Sequence, residues 1–215
     1  MWQKEYKKEK FYWGLKPEEG LKEVIKYAPK GVALDIGAGE GRNSIFLAKN
    51  GFEVEAIDKV REGLEKCQKL AEKYNLPIKT KVVDVKKFKF EENKYSLVLD
   101  IVALDFLKFS EIKKIIPKIK KSLKRKGVFC IVVFSTKDPA FKKLKLKGLE
   151  INEKNTFYLP RLKTFRHFFE KKELFYLLKN FEIIKIKDKK IKDIYHDKPH
   201  FHQVIIAIVK KIGKI

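Results

Sequence analysis

Short apolar segments rich in β-forming residues alternate with amphipathic segments along most of this chain. These patterns predict seven strands, with helices after the first, second, fourth and fifth of them. The order of strand, helix and strand implies right-handed crossovers and a doubly wound, Rossmann-like α/β sheet. The last two strands have no helix between them, so we expect them to be antiparallel neighbours. The predicted strands cover residues 32–35, 53–58, 78–83, 95–101, 128–134, 181–186 and 203–209.

The helical periodicity falls between these strands and in the first thirty residues. It predicts helices over residues 18–27, 43–50, 60–74, 110–124 and 170–179. Ser110 is a candidate N-cap for the fourth of them and Gly127 a candidate stop signal. The regular pattern fades between residues 135 and 166, and long irregular segments usually form binding loops or lids. We therefore expect a single domain of 215 residues in which the segment 135–169 borders a substrate.

A glycine-rich loop follows the first strand, with the sequence Asp35-Ile36-Gly37-Ala38-Gly39-Glu40-Gly41. Glycines let the backbone approach a ligand, and the helix that follows offers free N–H groups to it. The dinucleotide fingerprint needs its third glycine at position 42, where Arg42 stands, and no phosphate-loop motif is present. The carboxylate of Asp35 would repel a pyrophosphate and attract an ammonium group, which favours S-adenosylmethionine (SAM). The alternative is a purely structural strand-to-helix turn.

Two more acids stand where predicted strands end. Asp58 lies near the spacing at which an acid on the second strand hydrogen-bonds a ribose diol, although it could instead cap the helix that starts near Val60. Asp84 follows the third strand and could accept a hydrogen bond from an adenine amino group. Because the carboxyl ends of parallel strands meet at one edge of the sheet, Asp35, Asp58 and Asp84 are predicted to face the same ligand site.

The charge of the chain raises a second kind of function. The formal net charge is +23, from 51 Lys and Arg against 28 Asp and Glu, and such a field attracts nucleic acids. The lysines are spread along the whole chain and are not interleaved with aromatic residues, which favours a solvated lysine-rich surface. A base-amino methyltransferase would also carry an Asn- or Asp-Pro-Pro-aromatic run where this chain has Asp100-Ile101-Val102-Ala103. If the ligand is SAM, the net charge leaves methyl transfer to a nucleic acid as the alternative function.

Composition also bears on where the protein works. No apolar run reaches the length of a membrane span and the first residues lack a signal-peptide core, so we expect a cytoplasmic protein without membrane contact. Cys67 and Cys130 fall in a predicted helix and a predicted buried strand, which favours reduced packing residues. Abundant Lys and Glu and a single Met are typical of a thermophile, or of biased codon usage.

The glycine loop, the acid-tipped strands and the closing hairpin together resemble the class I SAM-dependent methyltransferases over most of the chain. Within them, the segments 39–44 and 51–54 and the pair Asp58-Lys59 are similar to the tellurite-resistance (TehB-like) branch of small-molecule methyltransferases, as is Tyr12-Trp13-Gly14. The resemblance implies a seven-stranded sheet with strand seven between strands five and six. It also implies SAM as methyl donor, S-adenosylhomocysteine (SAH) as product and a small-molecule acceptor, in a monomer or homodimer.

The same resemblance assigns parts of the cofactor to residues of this chain. The loop from Gly37 to Gly41 would hold the methionine part, Asp58 the ribose, and Asp84 with Val85 the adenine. The N-terminal segment 1–30 would either anchor on the sheet or close over the cofactor through its aromatic residues. The candidate cofactor-binding residues are Trp13, Asp35, Gly37, Ala38, Gly39, Gly41, Arg42, Asn43, Asp58, Lys59, Asp84, Val85, Asp100 and Ile101.

Histidine suits a general base near neutral pH, and the chain has four of them. His167, at the end of the expected lid, is the first candidate for an acceptor-side role. His200 and His202 are further candidates for the same role. His200 and His202 share one face of a strand, so a zinc or nickel site with His196 is conceivable, but the spacing fits no strong metal motif and no metal is predicted. Structural hydrogen bonding is the plain alternative. Tyr195-His196-Asp197 stands where the tellurite-resistance proteins have a His-Arg pair, which argues against tellurite or selenite as the acceptor.

Overall fold

A computed structural model describes residues 2–194 and 199–213 of the chain. A seven-stranded sheet lies at its centre, with helices on both faces. Its strands are β1 Val32–Ile36, β2 Glu53–Asp58, β3 Ile78–Val82, β4 Tyr95–Ile101, β5 Leu123–Phe134, β8 Glu182–Asp193 and β9 His200–Lys210; a separate hairpin holds β6 Thr156–Leu159 and β7 Thr164–His167. The helices are α1 Trp2–Tyr6, α2 Leu21–Tyr27, α3 Arg42–Lys49, α4 Arg61–Lys73, α5 Phe109–Ser122, α6 Pro139–Leu146 and α7 Lys171–Leu177.

The strand order across the sheet is β3-β2-β1-β4-β5-β9-β8. The first five strands are parallel, whereas β9 runs antiparallel to both of its neighbours, β5 and β8. The predicted doubly wound sheet, its antiparallel last strand and the position of that strand between the fifth and sixth are confirmed. Since the order reverses at β1 and β4, a crevice opens at the carboxyl ends of these two strands, where open α/β sheets bind ligands.

Two apolar layers explain why the central strands read as near-continuous hydrophobic runs. Alternate residues of β1, β4 and β5 point to opposite faces of the sheet. On one face they pack with α2, α3 and α4. On the other face they pack with the isoleucines of α5 and with Leu174 of α7. Burial on both faces fixes the sheet and therefore the position of its carboxyl edge.

Two sequence predictions about α5 are wrong. The helix begins at Phe109, and the Glu111 carboxylate accepts a hydrogen bond of 3.0 Å from the backbone N–H of the N-cap residue, Lys108. The hydroxyl of Ser110 instead donates a hydrogen bond to Glu153 at 2.7 Å. The helix ends at Ser122, and β5 follows at once, so Gly127 lies inside a strand and stops no helix.

Residues 135–166, within the expected substrate-side segment 135–169, were predicted to be irregular, and this is also wrong. It contains the helix α6, whose N-cap is Asp138, and the hairpin of β6 and β7. Apolar side chains anchor it, because Phe157 and Phe168 are fully buried in the core. The segment is thus a packed part of the fold, and only some of its residues reach the ligand crevice.

The hydropathy of the helices bears on membrane contact. In residues 2–194 and 199–213, none of the helices is both long enough and apolar enough to cross a bilayer.

Candidate functional site

A cavity of about 420 Å³ lies at the carboxyl edge of the sheet, which is within the usual size range of small-molecule sites. It is bounded by the glycine loop, by the residues after β2, β3 and β4, by the N-terminal aromatic residues and by the ends of β8 and β9. The predicted cofactor residues that line it are Trp13, Gly37, Ala38, Gly39, Arg42, Asn43, Asp58, Lys59, Asp84, Val85 and Ile101.

The glycine loop turns sharply from β1 into α3. Gly37, Gly39 and Gly41 have φ angles of 68°, 55° and 87°, in the left-handed region that residues with a side chain rarely adopt. A Cβ atom at Gly41 would collide with the side chain of Cys67 on α4, and one at Gly37 with Ala103. The sequence therefore needs glycine here both for the turn and for close packing. Gly41, the last residue of the loop, does not line the cavity.

Asp35 does not face the cavity, which corrects the prediction that its carboxylate attracts an ammonium group there. It is 1 % exposed and accepts a hydrogen bond of 2.6 Å from the hydroxyl of Ser44 on α3. Burial raises its pKa to about 6, and the Ser44 hydrogen bond opposes that rise. Strand alternation explains the placement, because Asp35 points to the face of β1 covered by α3. Its role in the structure is to tie the strand to the helix beneath the loop.

Asp58 lies at the end of β2 and lines the cavity. Its two carboxylate oxygens accept hydrogen bonds from the backbone N–H of Gly39 at 2.9 Å and of Val60 at 2.8 Å. Burial raises the pKa of Asp58, and the two backbone hydrogen bonds act in the opposite direction. Val60 is the N-cap residue of α4 and the helix has no side-chain cap, so the alternative that Asp58 is a surface acid capping this helix is wrong. The carboxylate of Asp58 instead joins the glycine loop to the residue that precedes α4.

Asp84 and Val85 line the cavity just beyond β3. The Asp84 carboxylate accepts a hydrogen bond from the backbone N–H of Lys86 at 2.9 Å, which fixes the turn that carries it. Asp58 and Asp84 thus confirm the expected positions of two acids at one edge of the sheet, whereas the third, Asp35, is turned away.

Asp100 is placed differently from Ile101, although both were predicted to contact a cofactor. Ile101 lines the cavity, but Asp100 is fully buried beneath it and accepts hydrogen bonds from the backbone N–H groups of Ala103 and Leu104. Burial, with the nearby charge of Asp105, raises the pKa of Asp100 well above its usual range. Asp100 therefore shapes the loop after β4, which corrects its assignment as a cofactor contact.

The N-terminal segment covers one side of the cavity with aromatic rings. Trp2, Tyr6 and Trp13 all line it, and the Trp2 ring lies 6.0 Å from Tyr6 and 5.6 Å from Trp13. Glu40 of the glycine loop anchors this cover, because its carboxylate accepts hydrogen bonds from the backbone N–H of Tyr12 at 2.6 Å and from Lys66 at 2.6 Å. The aromatic residues thus both pack on the fold and enclose the cavity.

A second contact joins the same segment to the start of α3. Arg42 donates a hydrogen bond of 3.0 Å to Glu18, and the backbone N–H of Glu18 donates one of 2.9 Å to the Asn43 side chain. All three residues line the cavity. Two residues that follow the glycine loop therefore hold the N-terminal segment over the site.

His167 lies outside the cavity lining, which corrects the prediction that it is the first acceptor-side residue. It is fully buried at the end of β7 and stacks on Phe109 at 4.7 Å. Its Nε2 lies 3.0 Å from a Glu173 carboxylate oxygen and its Nδ1 lies 2.8 Å from the Thr156 hydroxyl. A carboxylate only accepts, so Nε2–H donates to Glu173 and Nδ1 accepts from Thr156. Both nitrogens are committed to the fold.

His200 and His202 do line the cavity, together with Asp193. The Nε2 atoms of the two histidines lie 3.0 Å apart, and His202 Nε2 lies 3.7 Å from a carboxylate oxygen of Asp193. On its other side, His202 Nδ1 lies 2.9 Å from Asp138 of α6. The third histidine that was considered with them, His196, lies outside the described residues.

Arg166 was missed by the sequence reasoning, although it also lines the cavity. Its guanidinium lies between the rings of Phe106 and Phe134, at 4.3 and 4.4 Å from their centres. Burial lowers its pKa, while the nearby Asp105 opposes this shift. Its neighbours lie far away in sequence, after β4 and in β5, so only the folded chain brings this cation to the site.

The cavity differs in charge from the rest of the molecule. Within a chain of formal charge +23, the described residues of its lining include five carboxylates and three cations. The carboxylates are those of Glu18, Glu40, Asp58, Asp84 and Asp193, and the cations are Arg42, Lys59 and Arg166. Because the lining is rich in carboxylates, the site favours a cationic or neutral ligand over a polyphosphate.

Comparison of the sequence with known protein families identifies the family of this chain. Residues 1–197 match the family described as tellurite resistance protein TehB. The chain belongs to the TehB family. A probable S-adenosyl-L-methionine-dependent methyltransferase TehB from Haemophilus influenzae is 30% identical over 105 residues, which cover 49% of this chain and 36% of that protein. The match thus spans little more than a third of the relative's length.

Solved structures share the fold of this TehB-family chain. A SAM-dependent methyltransferase from Methanosarcina mazei superimposes with a TM-score of 0.76 at 22% identity, covering 89% of this chain and 98% of the other. The Burkholderia thailandensis 1,6-didemethyltoxoflavin-N1-methyltransferase, solved with 1,6-didemethyltoxoflavin and S-adenosylhomocysteine, has a TM-score of 0.64 at 19% identity and covers 91% and 80%. At these identities the likeness shows the class I methyltransferase fold.

Proposed function

We propose that this chain is a SAM-dependent methyltransferase that acts on a small-molecule acceptor. The proposal is supported by membership of the TehB family, by the fold and by a ligand-sized cavity at the carboxyl edge of the sheet. The observation that carries it is the carboxylate-rich lining of that cavity in a strongly basic chain. SAM has an ammonium and a sulfonium group and no phosphate, so it suits such a lining better than NAD or ATP does.

The residues present fit this cofactor. Gly37 and Gly39 line the cavity without side chains, so their backbone is open to close approach by the methionine part. In this proposal Asp58 would hold the ribose hydroxyls, and Asp84 with Val85 would hold the adenine. When bound, SAM supplies a methyl group on a sulfonium. The chain's own contribution is to fix the cofactor's orientation and to exclude water beneath Trp13 and Tyr6.

The acceptor would enter from the opposite end of the cavity, where Arg166, His200 and His202 lie. Much of the rate enhancement of a displacement can come from holding the two reactants in line. A base is needed only when the acceptor must lose a proton, and His202 would serve, because its Nδ1–H is held by Asp138 and its Nε2 is thereby left to accept. A cavity of this size, covered by aromatic rings, favours a small acceptor.

A nucleic-acid acceptor is the second candidate, and the net charge of +23 is the observation that favours it. The cations that would attract a phosphate backbone do not collect in the cavity lining, where carboxylates predominate. We therefore rank it below a small-molecule acceptor.

Transfer of a radiolabelled methyl group from SAM tests the proposal and ranks the two acceptor classes. The purified full chain is incubated with a panel of thiols, halides and chalcogen oxyanions, and separately with bulk RNA. We expect labelled small-molecule product and background incorporation into RNA. Efficient labelling of RNA, with none of the small acceptors methylated, would reverse the order of the two candidates.

A further inference from the structure

The end of the cavity formed by β8 and β9 carries a cluster with the composition of a metal site. In the β8–β9 ladder Asp193 stands directly opposite His200, and His202 stands two residues further along β9. Cross-strand partners point to the same face, as do residues two apart on a strand. The backbone pairing therefore brings one carboxylate and two imidazoles to a single face, where all three line the cavity.

We propose that Asp193, His200 and His202 bind a divalent zinc ion. One ligand atom from each residue lies within 4.8 Å of the other two. Ligands held about 2.0–2.1 Å from a tetrahedral zinc ion stand roughly 3.3 Å from one another. The observed separations are 3.0 Å between the two Nε2 atoms and 3.7 Å from His202 Nε2 to the Asp193 carboxylate. Small side-chain adjustments convert this arrangement into zinc coordination.

A carboxylate behind His202 prepares it as a ligand. Asp138 accepts a hydrogen bond from His202 Nδ1 at 2.9 Å, so the proton stays on Nδ1 and the Nε2 lone pair points to the cluster. Asp138 is itself held by hydrogen bonds from the backbone N–H groups of Ala140 at 2.8 Å and Gln203 at 2.9 Å. Such a carboxylate–histidine pair is the usual support of a metal-bound imidazole. Asp138 therefore both caps α6 and accepts hydrogen bonds from two residues of β9, His202 and Gln203.

Three protein ligands would leave a coordination position of zinc for a ligand in the cavity. Two histidines with one carboxylate and an open position are typical of catalytic rather than structural zinc. A zinc ion here would take up the Nε2 lone pair of His202, so His202 would be a ligand and not the base. The ion itself would bind the acceptor's donor atom, such as a thiol sulfur, and favour loss of its proton to water. This role, though not the metal site itself, depends on the proposed methyltransferase function.

Zinc titration of the full chain tests the site. The protein is stripped of metal with a chelator and titrated with Zn²⁺ against a chromophoric competitor. We expect one Zn²⁺ per chain with micromolar or tighter affinity, and at least a tenfold loss of affinity in His200→Ala and in His202→Ala. Because His200 is exposed, its replacement tests the site without disturbing the core. Asp193→Asn should weaken zinc binding as the histidine variants do. Its matched control is Asp188→Asn, on the same strand but paired with Lys137 and Lys171, which should bind zinc as the wild type does.

Cobalt substitution gives a readout of geometry. Co²⁺ in a tetrahedral site with nitrogen and oxygen ligands shows visible d–d bands, which should form in the wild type and in Asp188→Asn and be absent from His202→Ala. The site is refuted if the wild type binds no more Zn²⁺ than the double variant His200→Ala/His202→Ala. Equal zinc affinity in the wild type and both single variants would also refute it, as binding elsewhere on the surface.

The same samples are titrated with SAH by calorimetry. Zinc binding without SAH binding would uphold the metal site and contradict the proposed function. SAH binding with no zinc binding would do the reverse.

Discussion

The left-handed glycine that starts α3 offers a direct test of how tightly the ligand loop is packed. Gly41→Ala adds one methyl group at a residue with φ of 87°, where the new Cβ meets the Cys67 side chain. Gly20→Ala is the matched control, because Gly20 also precedes a helix, α2, with φ of 96°, but a Cβ atom there meets nothing within 4 Å. Both variants carry the backbone cost, and only Gly41→Ala carries the collision.

The magnitudes follow from these two contributions. A side chain in the left-handed region costs about 1–2 kcal/mol. Reduced freedom of the unfolded chain returns about 0.4–1 kcal/mol, so Gly20→Ala should lower the free energy of unfolding by about 1 kcal/mol. Forcing a methyl group into a packed contact adds about 1–3 kcal/mol, so Gly41→Ala should lower it by about 2–4 kcal/mol.

Urea unfolding followed by far-ultraviolet circular dichroism measures both variants against the wild type. We expect the midpoint of Gly41→Ala to fall clearly below that of Gly20→Ala at similar slope. Equal losses in the two variants would refute the reasoning, since they would mean that α4 does not press on the loop. SAH affinity should follow the same order, because displacement of Gly41 moves the loop residues that line the cavity.

Three further predictions concern two acids near the loop, Asp58 and Asp35, and the aromatic residue Trp13. Asp58→Asn should weaken SAH binding in calorimetry by about 10- to 150-fold, because loss of a charge-assisted hydrogen bond costs about 1.5–3 kcal/mol; unchanged affinity would remove the ribose assignment. The pKa of Asp35 is raised from 3.8 to about 6 in the folded chain, so the folded state binds more protons between these values and this residue's contribution to stability is lost as pH rises through them. The stability of Asp35→Asn relative to the wild type should therefore rise by about 2 kcal/mol from pH 4 to pH 7, measured by urea unfolding, and a flat difference would contradict the burial argument. Trp13→Ala should weaken SAH binding while leaving the urea midpoint nearly unchanged, and unaltered affinity would mean that the ring does not cover the cofactor.

The sheet was predictable because its central strands are buried on both faces and therefore appear in the sequence as short apolar runs separated by polar loops. The apolar runs that became β2 and β4 were located to the residue and β1 to within one residue. The absence of a helix before β9 correctly indicated an antiparallel pair. Strand ends were less accurate. The strand β5 begins five residues before the predicted 128, where charged residues in Lys124 to Lys126 mask the extension of the ladder.

The site was predicted only where local pattern determines side-chain direction. Asp58 and Asp84 follow their strands and reach the cavity, whereas Asp35 lies within its strand and alternation turns it toward α3. Counting alternation from the buried Leu34 and Ile36 would have revealed this.

Other features of the site depend on contacts distant in sequence. His167 was predicted to be catalytic because the pattern showed neither of its partners. Thr156 lies in a hairpin that was not predicted, and Glu173 lies in a predicted helix whose contact with His167 forms only in the folded chain. Arg166 reaches the cavity only through its position between two rings, and Asp193 only through the register of the β8–β9 ladder.

Ligand selectivity of the wild-type chain tests the central claim, that the carboxylate-rich cavity binds a phosphate-free adenosine compound. Calorimetric titrations with SAM, SAH, NAD and ATP at equal concentration, followed by competition against SAH, give the answer in one experiment. The account predicts saturable binding of SAM and SAH at one shared site and no displacement of SAH by NAD or ATP. Binding of NAD or ATP in that cavity, with SAM and SAH refused, would contradict it.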